Sequence, residues 1–389
     1  MKILVVAPTP FFADRGTHIR ILEEALALEK RGHELTIATY HIGRDIKGEV
    51  ETRIDVRRIL RLLFWYKKLE AGPDWQKIVL DIMLIRKVFN LARTGRPEVI
   101  HAHLHEGVLI GFIVQKLLFW RKMKLVADFH GSLTKEMESH SYLKGGLLRK
   151  IFSFIEKTVD NMGQSACASS WENAEELRSI RQDAEVAVVL DGVNLDHYAA
   201  LPAKEELRRE LELPQDKTII TYAGALVPNK GISYLLEAME AVLAQSPKAF
   251  FVLGGFPIEE AESFVYARGL EKRVRLVSPL NYFEMPKLLK ASDIGIDPKD
   301  SSTRQASGKI LQYMAAGLAV VCFDRSNNRH YLEDAGAYSS TMGAQGLVSQ
   351  ILGLIENEDV RKEKGQKAQE RAALFSWDKS AARIEELYR

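Results

Sequence analysis

The chain has 389 residues, with 54 Lys+Arg against 52 Asp+Glu for a formal net charge of +2, and it is 46% hydrophobic and 27% charged. That composition fits a globular protein with a sizeable core in each of two or three domains, and it excludes disorder, collagen, coiled coil and a surface uniformly basic enough for nucleic acid. The two cysteines, Cys167 and Cys322, stand far apart in apolar stretches, which argues against a disulfide framework and fits a reducing cytoplasm. The longest apolar run, residues 108–120, is interrupted by Gln115 and Lys116 and falls short of the roughly 18 to 20 residues that span a bilayer.

Short β-branched runs alternate with helix-periodic stretches along almost the whole chain, the pattern of βαβ units and parallel sheets. Strands are expected over residues 3–7, 35–38, 99–102, 125–129, 165–169 and 186–190. Pro8 and Pro10 follow the first run closely, so the start reads as a buried strand and loop rather than a secretion signal. A helix capped by Thr17, with Ile19, Leu22 and Leu26 on one face, is expected to end at Gly32. The rhythm pauses over residues 194–217, where Pro202 and Pro214 bracket a charged helical piece. It resumes with strands over 218–223, 250–253, 274–277, 294–297 and 319–323. Helices over 360–374 and 377–388 close the chain, the last one able to return to the first domain. The expected fold class is α/β, with two doubly wound Rossmann-like domains: residues 1–198 plus 376–389, and residues 199–375. Ligands of such folds sit at the carboxyl ends of the strands, so function is sought in the strand-to-helix loops lining a cleft between the domains.

Three loops carry the chemistry. The first runs from Pro8 to Thr17 and lacks the GxGxxG fingerprint of dehydrogenases; its Gly16 permits close approach of an anion or sugar to a helix start. The second carries Lys230 between Gly224 and Gly231, just ahead of a helix, where a cation and the helix dipole together suit phosphate. The third, residues 297–317, brings Arg304, Ser307, Gly308 and Lys309 to a helix start and suits a diphosphate, with Gln312 one turn further on, within reach of ribose hydroxyls. His101, His103 and His105 alternate as if along one strand face. A metal reading is set aside because the local pattern supplies no fourth ligand except Glu106 on the opposite face; hydrogen bonding is favoured. His130 follows a strand end and precedes Gly131, the place where catalytic residues sit in open sheets.

These segments together make the whole chain resemble family 4 of the retaining glycosyltransferases, with the two-domain fold called GT-B. The match runs through Arg15-Gly16-Thr17, Arg31-Gly32-His33, Val99-Ile100-His101-Ala102-His103, Phe129-His130-Gly131, Asp191-Gly192-Val193-Asn194, Gly224 with Lys230-Gly231, Ala291-Ser292-Asp293 and Tyr313-Met314-Ala315-Ala316-Gly317. The resemblance implies transfer of a sugar from a nucleotide-diphosphate donor, bound mainly by the second domain, to a glycan or lipid-linked acceptor bound mainly by the first. It also implies that no metal or other cofactor is needed. By matched position, Lys230, Ser307, Gly308 and Lys309 would hold the donor diphosphate, Gln312 would face the ribose, Gly16 would contact phosphate or acceptor, and His130 would lie beside the transferred sugar. The chain departs from the family at Ala225, where an arginine is usual, and at Arg304 and Gln312, where two glutamates are usual. Arg304 or Lys309 is expected to replace the missing cation. Two alternatives are a nucleotide-sugar epimerase on the same fold and a nucleotide-sugar-binding protein without turnover.

The near-neutral total conceals an asymmetry: residues 53–150 hold 19 Lys+Arg against 9 Asp+Glu, so the remainder of the chain is net acidic. Within that stretch, residues 57–68 and 117–122 interleave cations with large apolar side chains, which suits an anionic membrane surface. The expectation is a cytoplasmic enzyme peripherally associated with the inner face of the plasma membrane, with no nucleic-acid partner.

Overall fold

The alternating pattern becomes two parallel sheets in a computed structural model that describes residues 1–69, 74–139, 142–143, 145–181, 186–300 and 306–389. Two compact units result, one of residues 1–191 plus 377–389 and one of residues 192–300 plus 306–376. The division falls at residue 191 rather than 198. Residues beyond it bond within the second unit: Val193 N donates to Phe375 O (2.8 Å), and Tyr198 OH donates to Gln312 Oε1 (2.7 Å).

The first unit contains β1 (Lys2–Ala7), α1 (Gly16–Lys30), β2 (Glu34–Thr39), β3 (Asp55–Arg58), α2 (Trp75–Gly95), β4 (Val99–His103), α3 (Leu104–Leu117), β5 (Lys124–Phe129), α4 (Leu133–Ser139), α5 (Gly146–Asp160), β6 (Ser165–Ala168), α6 (Trp171–Ile180) and β7 (Val186–Val188). The sheet order is β3-β2-β1-β4-β5-β6-β7. Chain direction along the sheet therefore reverses between β1 and β4, the position at which open α/β sheets hold ligands. β3, with Val56 its one apolar residue, carries no buried strand signature and was not expected. Helix α1 starts at Gly16 after an extended Arg15 with no side-chain cap, so Thr17 is not its cap. Its buried residues include Ile21, Leu22, Ala25 and Leu28 together with Arg20, Glu23 and Glu24, because α1 packs against both the sheet and a C-terminal helix.

The second unit contains α7 (Asp196–Ala199), α8 (Lys204–Glu210), β8 (Thr218–Ala223), α9 (Ile232–Gln245), β9 (Ala249–Gly254), α10 (Glu259–Ala267), β10 (Val274–Val277), α11 (Met285–Lys290), β11 (Ile294–Asp297), α12 (Gly308–Ala315), β12 (Ala319–Phe323), α13 (Ser326–Leu332), β13 (Gly336–Ser339), α14 (Ala344–Glu356) and α15 (Glu358–Ala372). Its order, β10-β9-β8-β11-β12-β13, reverses between β8 and β11. Leu235, Met239 and Val242 of α9 pack with Leu347 and Ile351 of α14 over this sheet, and truncating any one to Ala would cost on the order of 2–5 kcal/mol. The last helix, α16 (Trp377–Tyr388), belongs to the first unit. It packs on α1, Ser380 Oγ donates to Leu190 O (2.8 Å), and Arg31 pairs with Asp378 and Glu385. Cys167 and Cys322 are buried free thiols, and no helix of the described residues is long and apolar enough to cross a membrane.

Candidate active site

In the first unit the loop after β1 is braced from beneath. Phe12 and Arg44 exchange backbone hydrogen bonds at 3.3 and 2.9 Å, and Arg44 pairs with Asp14. Gly43, at φ +109°, makes this possible, since a Cβ there would lie 2.4 Å from the Phe11 carbonyl. The brace leaves Gly16 exposed at the first turn of α1, with nothing within 4 Å of where its Cβ would be. An incoming anion or hydroxyl can therefore approach those backbone N–H groups.

Beneath this loop a single buried guanidinium organises the site. Arg20 of α1 grips both oxygens of Asp128 on β5, the nearer at 3.1 Å, and pairs with Glu24 (2.8 Å) and Asp191 (2.9 Å). One cation cannot keep three carboxylates ionised in a low-dielectric interior. Burial, with Asp128 and Asp191 nearby, holds the Glu24 carboxyl well above its ordinary value. Burial pushes Asp128 the same way, but Arg20 outweighs it and keeps Asp128 ionised. His103 Nδ1 lies 3.3 Å from Asp128 Oδ2 and 3.1 Å from His130 Nε2. Burial, reinforced by His101, pushes His103 down to about 4; burial likewise holds His130 well below 6.5 against the pull of Asp128. His130 is thus a neutral imidazole oriented by His103, able to exchange hydrogen bonds with a hydroxyl but not to offer a charge at pH 7.

The histidine row departs from expectation. Leu104 takes φ +64°, a left-handed conformation costing a bulky residue on the order of 1–2 kcal/mol, and α3 starts there. His105 consequently leaves the strand face and meets Asp160 (3.1 Å) and Glu156 (3.9 Å), and the Asp160 hydrogen bond raises it despite burial. The partners that the local sequence lacked come from elsewhere: Glu24 and Asp128 bring ligand atoms within 4.8 Å of His101 and His103. Arg20 already pairs with the two carboxylates of that group, Glu24 and Asp128.

In the second unit, Tyr313 of α12 ties the two strand ends at the reversal: its hydroxyl accepts from Ala223 N (2.9 Å) and donates to Ile296 O (3.2 Å). Gly295 is required beneath it, since a Cβ there would fall 2.5 Å from the Tyr313 ring. Gly231, at φ +79°, lets the Lys230 turn close onto the loop after β11; its Cβ would lie 2.0 Å from Pro298 O. Ser307 is extended and starts α12 without a side-chain cap, which leaves first-turn N–H groups at Gly308 and Lys309 for a ligand. Lys309 Nζ lies 3.2 Å from Asp297 Oδ1, 3.3 Å from Tyr222 OH and 4.4 Å above the Tyr222 ring. Burial would lower Lys309, but Tyr222 and Asp297 outweigh it and raise it above the ordinary lysine value.

The expected residues Lys230, Ser307, Gly308, Lys309 and Gln312 thus gather at the carboxyl ends of β8 and β11. Lys309 Cε approaches within 3.2 Å of where a Gly224 Cβ would be, one residue from Ala225. Arg304 lies outside the described residues. Gln312 is buried and its Oε1 accepts from Tyr198 OH, so its amide NH2 is the end left for a ribose hydroxyl. The sequence reading missed Arg20, Glu24, Asp128 and Tyr198. An ionisable residue inside an apolar strand, as at Asp128, was the available signal. A cavity of about 620 Å³ in this unit, lined by Lys217, Phe250 and Val274, opens at the amino ends of β8, β9 and β10, the end of a parallel sheet that does not bind ligands.

Comparisons with known proteins agree with this geometry. A family model described as Glycosyltransferase Family 4 matches residues 15–197, and one described as Glycosyl transferases group 1 matches residues 203–371. A phosphatidyl-myo-inositol mannosyltransferase of Mycolicibacterium smegmatis is 24% identical over 398 residues, covering 100% of this chain and 93% of that protein. A D-inositol 3-phosphate glycosyltransferase of Corynebacterium glutamicum is 25% identical over 401 residues, covering 96% and 91%. Among solved structures, sucrose-phosphate synthase from Thermosynechococcus elongatus superposes with a TM-score of 0.81 at 18% identity over 100% and 98% of the two chains. Anabaena HepE in complex with UDP-glucose superposes with a TM-score of 0.75 at 19% identity over 99% and 98%. The chain therefore belongs to glycosyltransferase family 4, has the GT-B fold and is a glycosyltransferase.

Proposed function

We propose that the donor is a nucleoside-diphosphate hexose held by the second unit, that transfer proceeds with retention and without a resident metal, and that the acceptor is lipid-linked and met at an anionic membrane surface by the first unit. In this reaction the bond from the anomeric carbon to the diphosphate oxygen breaks, a bond to the acceptor hydroxyl oxygen forms, and the hydroxyl proton passes to the departing diphosphate. Negative charge develops on the departing diphosphate, where Lys230, Lys309 and the first-turn N–H groups of α12 are placed to receive it. His130 would hydrogen-bond the sugar and Gly16 would admit phosphate or acceptor. The relatives are named as glycosyltransferases, which lends no support to the epimerase or to a binder without turnover.

The observation that carries the membrane reading is an apolar, cation-rich face of the first unit. Helices α2, α3 and α5 pack in series. Along α5, Leu147, Leu148, Ile151, Phe154 and Ile155 are exposed beside Arg149 and Lys150, and only its last turns are buried. Trp75, Ile78 and Ile82 form a second exposed stripe on α2, and Phe119 and Trp120 a third cluster beyond α3. Residues 57–68, whose sequence suited an amphipathic basic segment, fold as β3 and an irregular stretch that exposes Leu60, Leu62, Phe64 and Trp65. Inserting one such side chain is worth about 1.5–3 kcal/mol, and the surrounding cations add attraction to anionic lipid. Support also comes from a relative whose name contains a phosphatidyl lipid. The test is cosedimentation with phosphatidylglycerol-containing vesicles at low salt. The chain should sediment, weaken as salt rises, and lose at least about tenfold in partitioning on Phe154→Glu or Leu147→Glu. Absence of binding at low salt would overturn the membrane reading.

A further inference from the structure

Three imidazoles meet one carboxylate where β4 and β5 end. Asp128 Oδ2 lies 3.3 Å from His103 Nδ1, 3.7 Å from His101 Nε2 and 3.9 Å from His130 Nε2. Arg20 holds the same carboxylate, which is fully buried and stays ionised, so its oxygens only accept. His103 Nδ1 and His130 Nε2 stand 3.1 Å apart, and burial keeps both rings neutral. Two neutral rings at that distance share one proton: one nitrogen donates it and the other accepts with its lone pair. The carboxylate decides which, because Oδ2 is nearer to His103 Nδ1 than to His130 Nε2. A lone pair on His103 Nδ1 would be repelled by an anionic oxygen at 3.3 Å, whereas an N–H there is attracted. The proton therefore sits on His103 Nδ1, and His130 Nε2 accepts it. On its other side His103 Nε2 faces Glu24 Oε2 at 4.0 Å, a carboxyl that burial keeps from ionising, so a bare nitrogen meets no anion there. His101, stacked on His103 at 4.5 Å between ring centroids, fits the same scheme: Tyr388 OH lies 2.8 Å from its Nδ1 and can donate to it, which leaves the His101 proton on Nε2, toward Asp128.

We propose that Asp128, acting through His103, locks His130 in the tautomer with its proton on Nδ1, so that His130 meets the transferred sugar as a hydrogen-bond donor. The proposal rests on the reading of His130 as the residue beside the sugar. It adds the direction of the hydrogen bond and two positioning residues that set it. Among the described residues none bonds His130 Nδ1, so its N–H is left for the substrate. The sugar substituent it meets is then an acceptor oxygen, a hydroxyl or a carboxylate. A sugar with an ammonium or a bare C–H at that place leaves the N–H unsatisfied and is disfavoured at least about tenfold. With Nδ1 protonated and the Nε2 lone pair engaged by His103, His130 is not the base for the acceptor hydroxyl, which agrees with passage of that proton to the departing diphosphate.

Nitrogen-15 NMR of the full chain labelled at its histidines reads the tautomer directly, since protonated and bare ring nitrogens differ widely in chemical shift; the His130 signals are those lost in His130→Asn. In the parent at pH 7, His130 Nδ1 should be the protonated nitrogen and Nε2 the bare one. His103→Leu removes the donor and leaves the Asp128 carboxylate as the anion nearest to Nε2, so the His130 proton should move to Nε2. Turnover, read as nucleoside diphosphate released from UDP-glucose or GDP-mannose, should then fall at least about tenfold in kcat with KM within about threefold. His103→Asn, whose amide donates from nearly the same place, should restore the Nδ1–H form and most of that loss. A proton on Nε2 in the parent, a mixture of the two forms, or an unchanged His130 tautomer in His103→Leu would overturn the proposal. The expected tautomer together with full transfer in His130→Asn would instead remove the sugar-contact reading and leave the tautomer standing. Should His103→Leu not fold, or the parent turn over neither donor, the parent spectrum decides alone.

Discussion

Replacing Arg20 by Met removes the one guanidinium that compensates Asp128, Glu24 and Asp191. Glu24 is already held above its ordinary value and Asp191 is a quarter exposed, so the burden falls on Asp128, which is fully buried. Leaving a buried ion without its partner costs about 3–5 kcal/mol. The folded variant can limit that loss by taking up a proton, on Asp128 itself or on the imidazoles of His103 and His130, which lie 3.3 and 3.9 Å from its Oδ2. Either route makes the folded state bind one proton more than the parent does. The destabilisation should therefore be about 3–5 kcal/mol at pH 8 and shrink by up to about 1.4 kcal/mol per pH unit toward pH 6. Urea unfolding of parent and variant across that range measures it. The double variant Arg20→Met with Asp128→Leu should recover most of the loss, since an apolar pair of similar volume replaces the ion pair. A loss below about 1 kcal/mol at pH 8, or one that does not change with pH, would refute the account of Arg20 as the sole internal cation of this cluster.

Gly231→Ala should cost at least about 2 kcal/mol and weaken nucleotide binding, because φ is +79° and the new Cβ meets Pro298 O at 2.0 Å. Gly16→Ala, with open space around its Cβ, should leave stability within about 0.5 kcal/mol and lower transfer alone; thermal melts and a transfer assay separate the two glycines. His130→Asn should cut sugar transfer about a hundredfold while nucleotide affinity is unchanged and stability moves by no more than about 1 kcal/mol; full activity would exclude His130 from the reaction. His18 and His103, both pushed down to about 4 chiefly by burial, are neutral when folded and charged when unfolded below 6.5. They should remove up to about 1.4 kcal/mol each per pH unit as pH falls from 6.5 to 4. His105, raised above 6.5, has the opposite sign: its contribution is complete below 6.5 and lost as pH rises through its folded value. Urea midpoints at pH 7 and pH 5 should show a net loss on acidification, smaller in His18→Gln.

Much of this protein is legible from local pattern. Continuous apolar runs such as residues 3–7 and 319–323 are buried on both faces of a parallel sheet, so hydrophobicity alone marks them as strands. Lys230, Ser307 and Lys309 fall at strand-to-helix junctions, where parallel topology guarantees a ligand-facing end. Edge strand β3 was invisible because Asp55–Arg58 is only partly buried and carries almost no apolar signal. His105 was misplaced because strand alternation fails at a left-handed Leu104, a backbone choice imposed by the turn into α3.

Two parallel α/β halves, the strand-to-helix loops rich in Gly, Ser and Lys and the positive bias of residues 53–150 can be read along the chain, because each depends on near neighbours. Which charges meet depends instead on how distant segments fold together. Arg20 and Asp128 are 108 residues apart, and Tyr198 and Gln312 are 114 apart, separations across which no periodicity carries information. How those segments pack also decides that α5 leaves its apolar face to solvent, since the same amphipathic pattern would equally have lined a core.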